Sequence, residues 1–228
     1  MFDTINILIP VFNNAETLRD LVDQVQRETA SAARTVDFVF VDDASGDRSG
    51  EVLRALAGPN IAVIFNSENI GQQASIQKGL AVCDAQAVVV MDADLQDPPE
   101  AIPELLRALS TGTYDAVFAT RVGQYQSGRR MFSARAFRFL IRQFTNLPYG
   151  AGGFVTFTRH VAQGLTKRPH ARFYLAGLIG CGGYRIGSVP VERNERAIGK
   201  SAYSGSMRLA LGLSNLSAVI RERTRRER

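Results

Sequence analysis

Three carboxylates, Asp92, Asp94 and Asp97, fall within six residues of one another, with Gln96 among them. Asp92 and Asp94 are two apart, so in an extended chain their side chains share a face. Two hard oxygen donors on one face, with an amide oxygen nearby, suit Mg²⁺ or Mn²⁺ carrying a diphosphate. The plainer alternative is an Asp-rich turn that caps the helix beginning at Pro98-Pro99-Glu100, where Pro fits the first turn and an acid suits the N-terminus.

What precedes the acids positions them. Ala87 to Met91 is apolar at every position, which predicts a strand covered on both faces, as in a parallel α/β sheet. The carboxylates then sit at the carboxyl-end rim, where open α/β sheets bind ligands. The same arrangement recurs upstream. Ile5 to Pro10 reads as a strand, and Asn13-Asn14 as a turn capping a helix from about Ala15 to Thr29. Val36 to Val41 is a second strand, followed by Asp42-Asp43-Ala44-Ser45-Gly46-Asp47. A carboxylate there can accept hydrogen bonds from ribose hydroxyls or a base N–H, whereas Ser45 and Asp47 also suit a capping turn for a helix over Ser49 to Ala57. A third strand, Ile61 to Phe65, leads through Asn69-Ile70-Gly71-Gln72-Gln73 into a helix ending near Cys83. This alternation is the signature of a doubly wound sheet. Neither a Gly-x-Gly-x-x-Gly fingerprint nor a P-loop is present, so a bound nucleotide would be held by acids and a metal.

The 228 residues carry a net charge of +5 that is unevenly divided. Residues 1–115 contain 18 acids and 7 bases; residues 116–228 contain 4 acids and 20 bases, with no Asp or Glu between Asp115 and Glu192. The split predicts an acidic metal-binding half and a basic half facing phosphates or an anionic membrane. No groove-reading motif accompanies the arginines, which argues against nucleic acid. No apolar run approaches the roughly 20 residues of a membrane span, and Met1-Phe2-Asp3 leads directly into a strand with no signal peptide. Cys83 and Cys181 suit small, buried, reduced side chains. His160 and His170 lack metal-ligand spacing.

Four motifs taken in order, Ile9-Pro10-Val11-Phe12-Asn13, Val41-Asp42-Asp43-Ala44-Ser45-Gly46-Asp47, Asn69-x-Gly71-Gln72 and Asp92-Ala93-Asp94-Leu95-Gln96-Asp97-Pro98-Pro99-Glu100, resemble the inverting family-2 glycosyltransferases of GT-A fold. The last motif and the C-terminal half look most like the polyprenyl-phosphate sugar transferases, the dolichol-phosphate mannose synthase group. The resemblance runs from about Ile5 to Ser214. It implies one α/β domain, a Rossmann-like doubly wound and mostly parallel sheet with a basic amphipathic C-terminal portion. Within it, 1–115 would serve the nucleotide sugar and metal, 116–205 the acceptor, and 206–228 a membrane-proximal helix and tail. It implies that Asp92, Asp94 and Gln96 hold the divalent metal on a UDP- or GDP-linked sugar. It also implies that Pro10, Asn13, Asp42, Asp43 and Gln72 line the donor site.

In the basic half, Tyr114 to Thr120 reads as a strand ending in Arg121, and Met131 to Asn146 as an amphipathic helix with Arg135, Arg138 and Arg142 on one stripe. Phenylalanines beside such a stripe suit a lipid headgroup layer, although a helix packed on the sheet with a solvated basic face fits equally. Arg130 and Ser133 match an Arg-x-x-Ser element that, by resemblance, serves the acceptor phosphate, as does Arg159. Arg196, Lys200 and Ser201 lie in a loop resembling one that closes on the diphosphate, with Ala202 where Lys is usual. Asp94, Arg121 and Arg130 are the expected catalytic residues.

Two departures matter. Asn14 stands where the family usually has Glu. Gly153 and Tyr149 fill slots where the resembled enzymes carry Asp. Transfer to a sugar hydroxyl normally needs a carboxylate base; a phosphate acceptor arrives ionised and needs none. The missing acid thus points either to a lipid-phosphate acceptor or to lost activity, without choosing between them; the reading taken is transfer to a polyprenyl phosphate, by a protein peripheral to the cytoplasmic face of the membrane, with a small membrane subunit or a second copy as candidate partners. Transfer to a saccharide hydroxyl, and a non-catalytic nucleotide-sugar or membrane-binding module, are the alternatives. A basic tail, Arg221 to Arg228, following an apolar stretch fits an anionic leaflet.

Overall fold

A computed structural model of the chain describes residues 2–122, 145–167 and 173–194, with Arg121 and Val122 described by their backbone alone. The expected helix lies outside these residues over 131–144, its last two positions, Thr145 and Asn146, are described and are not helical, and the basic tail lies outside as well.

The described strands form one seven-stranded sheet. They are β1 (Phe2–Val11), β2 (Ala33–Asp42), β3 (Ile61–Phe65), β4 (Ala87–Val90), β5 (Ala116–Val122), β6 (Ala151–Thr158) and β7 (Ile186–Glu192), in the order β3-β2-β1-β4-β6-β5-β7. All pair in parallel except β6, which runs antiparallel to β4 and β5. The carboxyl ends of six strands and the start of β6 therefore share one rim.

Apolar alternation explains the two covering layers. On β1, Ile5, Ile7 and Ile9 join a core with α1 (Leu18–Thr29), α2 (Ser49–Leu56) and α4 (Ile102–Ser110), through Leu18, Leu21, Val25, Leu53, Ile102 and Leu105. Leu8 points the other way, with Val39, Val41, Val88 and Val90, into a core with α3 (Gln72–Leu80), α5 (Arg159–Thr166) and α6 (Leu175–Cys181). Helix α3 lies close to the sheet because Gly79 is there; a methyl at that position would overlap the Leu8 side chain. The start at Pro98-Pro99 is a single 3-10 turn, Pro99–Ala101, that runs into α4.

One boundary differs from expectation for a physical reason. Helix α1 begins at Leu18 and not near Ala15, because Asn13 and Asn14 do not cap it. Asn13 is in the left-handed region (φ 57°), and its Oδ1 accepts the N–H groups of Gly46 and Asp47 at 2.8 and 3.3 Å. Cys83 and Cys181 are free thiols, half-buried and not fully buried. Burial, with the neighbouring Asp84 charge, pushes the Cys83 thiol up to about 12, so it stays protonated and inert. No described helix is long and apolar enough to cross a membrane.

Candidate nucleotide-sugar and metal site

Three strand-end loops meet at the carboxyl rim, and each contains one non-glycine residue at positive φ: Asn13 after β1, Ala44 after β2 and Leu95 after β4. Such residues are uncommon and persist only where surrounding contacts over-determine them. The contacts are present. Asn13 N–H donates to Ser45 Oγ at 3.0 Å, and the Ser45 hydroxyl donates to Asp42 Oδ1. Thr17 donates its hydroxyl to Ala93 O at 2.6 Å, fastening the start of α1 to the acidic loop.

Asp47 ties the first two loops together. Its Oδ2 accepts Ala15 N–H at 3.1 Å and its Oδ1 accepts Ser49 N–H at 2.9 Å, the capping role expected for it. Partial burial raises its pKa, but the hydrogen bonds from Ser49, Ala15 and its own N–H outweigh this, and the net shift is downward. A carboxyl depressed in the folded state stabilises the fold above its unfolded pKa. That contribution is lost as pH falls through the folded value. Wild type should therefore lose on acidification an increment of stability that Asp47→Asn never has, so the variant is less stable near neutral pH and its stability falls less steeply below about pH 4. Denaturant melts of both proteins across pH 2–6 check this; parallel curves would refute it.

The adjacent acids Asp42 and Asp43 have separate surroundings, as opposite faces of an extended chain require. Asp42, 5% exposed, holds Ser45. Asp43, 3% exposed, is turned into the protein. Its Oδ1 accepts Asn66 Nδ2 and Ile70 N–H, each at 2.9 Å, and its Oδ2 accepts Gly71 N–H at 2.8 Å. Asn66 also bonds Ser75 and Lys78. Gly71, at φ 88°, turns the chain into α3, and Gln72 immediately after it donates Nε2 to Asp92 Oδ1 at 2.7 Å. Asp43 thus contacts the 66–71 loop, and through that loop sets Gln72 beside Asp92.

On the acidic loop, Asp92 Oδ2 accepts Arg193 Nη2 at 3.2 Å, and Asp97 Oδ1 accepts Arg193 Nε at 3.1 Å. Asp97, 4% exposed, also takes Asp92 N–H on Oδ2. Asp94, half-buried, accepts Gln96 N–H at 3.2 Å. Asn194 completes the clamp, donating N–H to Gln96 O and Nδ2 to Leu95 O. A narrow cleft lined by Asp97, Ala119, Gly152, Phe154, Val191 and Arg193 opens behind this loop. Arg193 and Asn194 carried no signal in the sequence. Their partners are about a hundred residues away, and what could have pointed to them is the need of a buried Asp97 for a counter-ion.

The remaining expected residues fall into three groups. Pro10 is buried in β1 opposite Val41, at the same rim. The backbone of Arg121 lies there too, opposite Val191. Gly153 is at the start of β6, where a Cβ would lie 4.0 Å from Asp92 Oδ1, whereas Tyr149 is exposed in the preceding turn. Arg159 lies apart from the others. Because β6 runs antiparallel, the chain leaves the rim at Gly153 and reaches the opposite edge at Arg159, whose Nε donates to Ala85 O; it is not beside Asp92. Arg130, Ser133, Arg196, Lys200 and Ser201 lie outside the described residues.

Among the described residues no three His, Cys, Asp or Glu side chains converge as a metal cage. The donor set still fits a divalent cation of the Mg²⁺ type. Such ions retain waters and are commonly held by one or two carboxylates plus substrate phosphates, and Asp92 and Asp94 supply that number of carboxylates at the carboxyl rim of the sheet.

A doubly wound, mostly parallel sheet with acids at the carboxyl ends of its second and fourth strands is an α/β domain of the GT-A kind. Residues 6–172 match the model of "Glycosyl transferase family 2", and the chain belongs to that family. It is 29% identical over 219 residues to "Uncharacterized glycosyltransferase YkcC" of Bacillus subtilis (strain 168), covering 93% of this chain and 67% of that one. It is 31% identical over 211 residues to "Undecaprenyl-phosphate 4-deoxy-4-formamido-L-arabinose transferase" of Sodalis glossinidius (strain morsitans), covering 89% and 63%. The chain thus spans about two thirds of the length of these curated relatives. Its fold is shared with glucosyl-3-phosphoglycerate synthase of Mycobacterium tuberculosis, solved with UDP (TM-score 0.69, 20% identity, 95% of this chain and 80% of that one). It is shared equally with a mannosyltransferase of Pyrobaculum calidifontis, solved with GDP-Man and Mn²⁺ (TM-score 0.68, 21% identity, 95% and 64%).

Proposed function

We propose that this chain is a metal-dependent transferase that moves a sugar from a UDP- or GDP-linked donor to a polyprenyl phosphate, inverting the anomeric carbon. The observation that carries the reading is the acidic rim. Two carboxylates stand at the end of β4, one of them oriented on both oxygens by Gln72 and Arg193, beside the loops after β1 and β2. Asp92 and Asp94, with Gln96, would hold Mg²⁺ or Mn²⁺, which when bound supplies positive charge to the departing diphosphate. Pro10, Asn13 and Asp42 edge the donor nucleoside, and Gln72 and Arg193 keep Asp92 in register.

An oxygen of the lipid phosphate attacks the anomeric carbon from the face opposite the diphosphate. The bond from that carbon to the diphosphate breaks, and its electron pair leaves on the nucleotide. No proton need be removed, because the attacking phosphate is already ionised near neutral pH. Gly153, beside Asp92 and without a side chain, accords with a reaction that does not ask β6 for a base. Relatives named as undecaprenyl-phosphate transferases support the acceptor class. The excess of bases over acids in residues 116–228 supports docking on an anionic membrane face.

A thermal-shift panel of UDP- and GDP-sugars, with and without Mn²⁺, identifies the donor; stabilisation is expected only with metal. The stabilising donor, labelled in its sugar, is then offered polyprenyl phosphate and a free glycan. Label passing to the organic phase only with the lipid phosphate is the expected result. Label on the glycan, or no metal-dependent donor, overturns the proposal.

A further inference from the structure

We propose that Arg193 is the built-in counter-ion of the acidic loop and limits how tightly that loop holds its divalent cation. The inference rests on the transferase reading above. Asp92, Asp94 and Asp97 crowd within six residues, and like charges so close repel one another and together attract a dication strongly. Arg193 comes from the far edge of the sheet, at the end of β7, with its side chain 15% exposed. Its fork is divided between two acids: Nε lies 3.1 Å from Asp97 and Nη2 lies 3.2 Å from Asp92. Asp97 in turn accepts the Asp92 N–H, so the three residues close a ring.

Arg193 reaches Asp92 and Asp97 directly. Asp92 has one oxygen on a neutral amide, Gln72, and the other on a guanidinium. Asp94 accepts from Gln96 N–H within the loop. A cation approaching Asp92 must share its Oδ2 with Arg193 or displace it, and it meets the repulsion of that charge in either case. A site that must release a metal-bound diphosphate after every turnover benefits from such a brake, because less opposing charge would hold the product longer.

The test is Mn²⁺ binding to the full chain, read from free Mn²⁺ by electron paramagnetic resonance, alone and with UDP or GDP. Arg193→Gln removes the charge and should bind Mn²⁺ about tenfold more tightly than wild type. Arg193→Lys keeps the charge without the fork and should stay within about threefold of wild type. Weaker or unchanged binding in Arg193→Gln overturns the proposal and leaves Arg193 as a loop clamp. If Arg193→Gln does not fold, a tenfold change in Arg193→Lys refutes the charge argument by itself. Wild type that binds no Mn²⁺ under any of these conditions refutes the transferase reading, and this inference with it.

Discussion

Asp94→Ala should lower sugar transfer roughly a thousandfold in preparations that are still fully folded at the assay temperature. Replacing Asp94 removes a half-buried carboxylate that accepts Gln96 N–H within the loop, and a bond of that kind is worth about 1 kcal/mol. The chemical loss is larger. A cation beside a departing diphosphate stabilises charge that develops in the transition state, an effect of several kcal/mol, and each 1.36 kcal/mol is about tenfold in rate. Asp94→Asn keeps the shape and an oxygen but not the charge, and should recover little activity. Asp92→Ala should differ in kind, because it also strands Gln72 and one arm of Arg193 and therefore lowers stability as well as rate. Initial rates with the donor from the thermal-shift panel, beside melts of the same preparations, separate the two. An Asp94→Ala protein that transfers within threefold of wild type, or a rate indifferent to metal, removes the acidic loop from the chemistry.

That Asp92 and Asp94 would stand at the carboxyl rim of the sheet was legible because a short, wholly apolar strand leaves few options: Ala87 to Val90 is buried at every position, so the acids after it mark the strand's end. The same logic located the loop after Val41. What stayed hidden depends on distance or direction. Strand β6 reads as glycines and threonines around Phe154, Val155 and Phe157, and no local pattern reveals that it runs against its neighbours. Its reversal is why Gly153 sits beside Asp92 and Arg159 at the other edge. Arg193 follows an ordinary strand and meets Asp92 and Asp97 only through the sheet order. Asp43 was legible only as a donor-site residue beside Asp42, and its contacts with the 66–71 loop were not. Two consecutive acids in extended chain cannot present both carboxylates to one ligand, and the structure gives the inward one to the 66–71 loop.

That inward orientation carries the second large effect. Asp43→Ala should destabilise the ligand-free protein by about 3–4 kcal/mol, since Asn66 Nδ2 and the N–H groups of Ile70 and Gly71 all lose their acceptor, and each donor left unsatisfied out of water costs about 1–3 kcal/mol. For a chain of this size the melting temperature should fall by about 10 °C. Activity should fall too, by a route separable from the loss of fold. With Asp43 gone, Gly71 is no longer fixed, Gln72 loses its place beside Asp92, and metal-dependent donor binding weakens even at temperatures where the variant is fully folded. Asp43→Asn should land between, because one oxygen can still accept from Ile70 while its amide, or Gly71, loses a partner. Gln72→Ala supplies the control: it should reproduce the weakened metal-dependent binding with only a small loss of melting temperature, as a single side-chain bond is removed. The alternative, that Asp43 acts on the nucleoside directly, makes the opposite prediction. Asp43→Ala would then melt like wild type without ligand and differ only when donor is added. The ligand-free melt alone decides between the two.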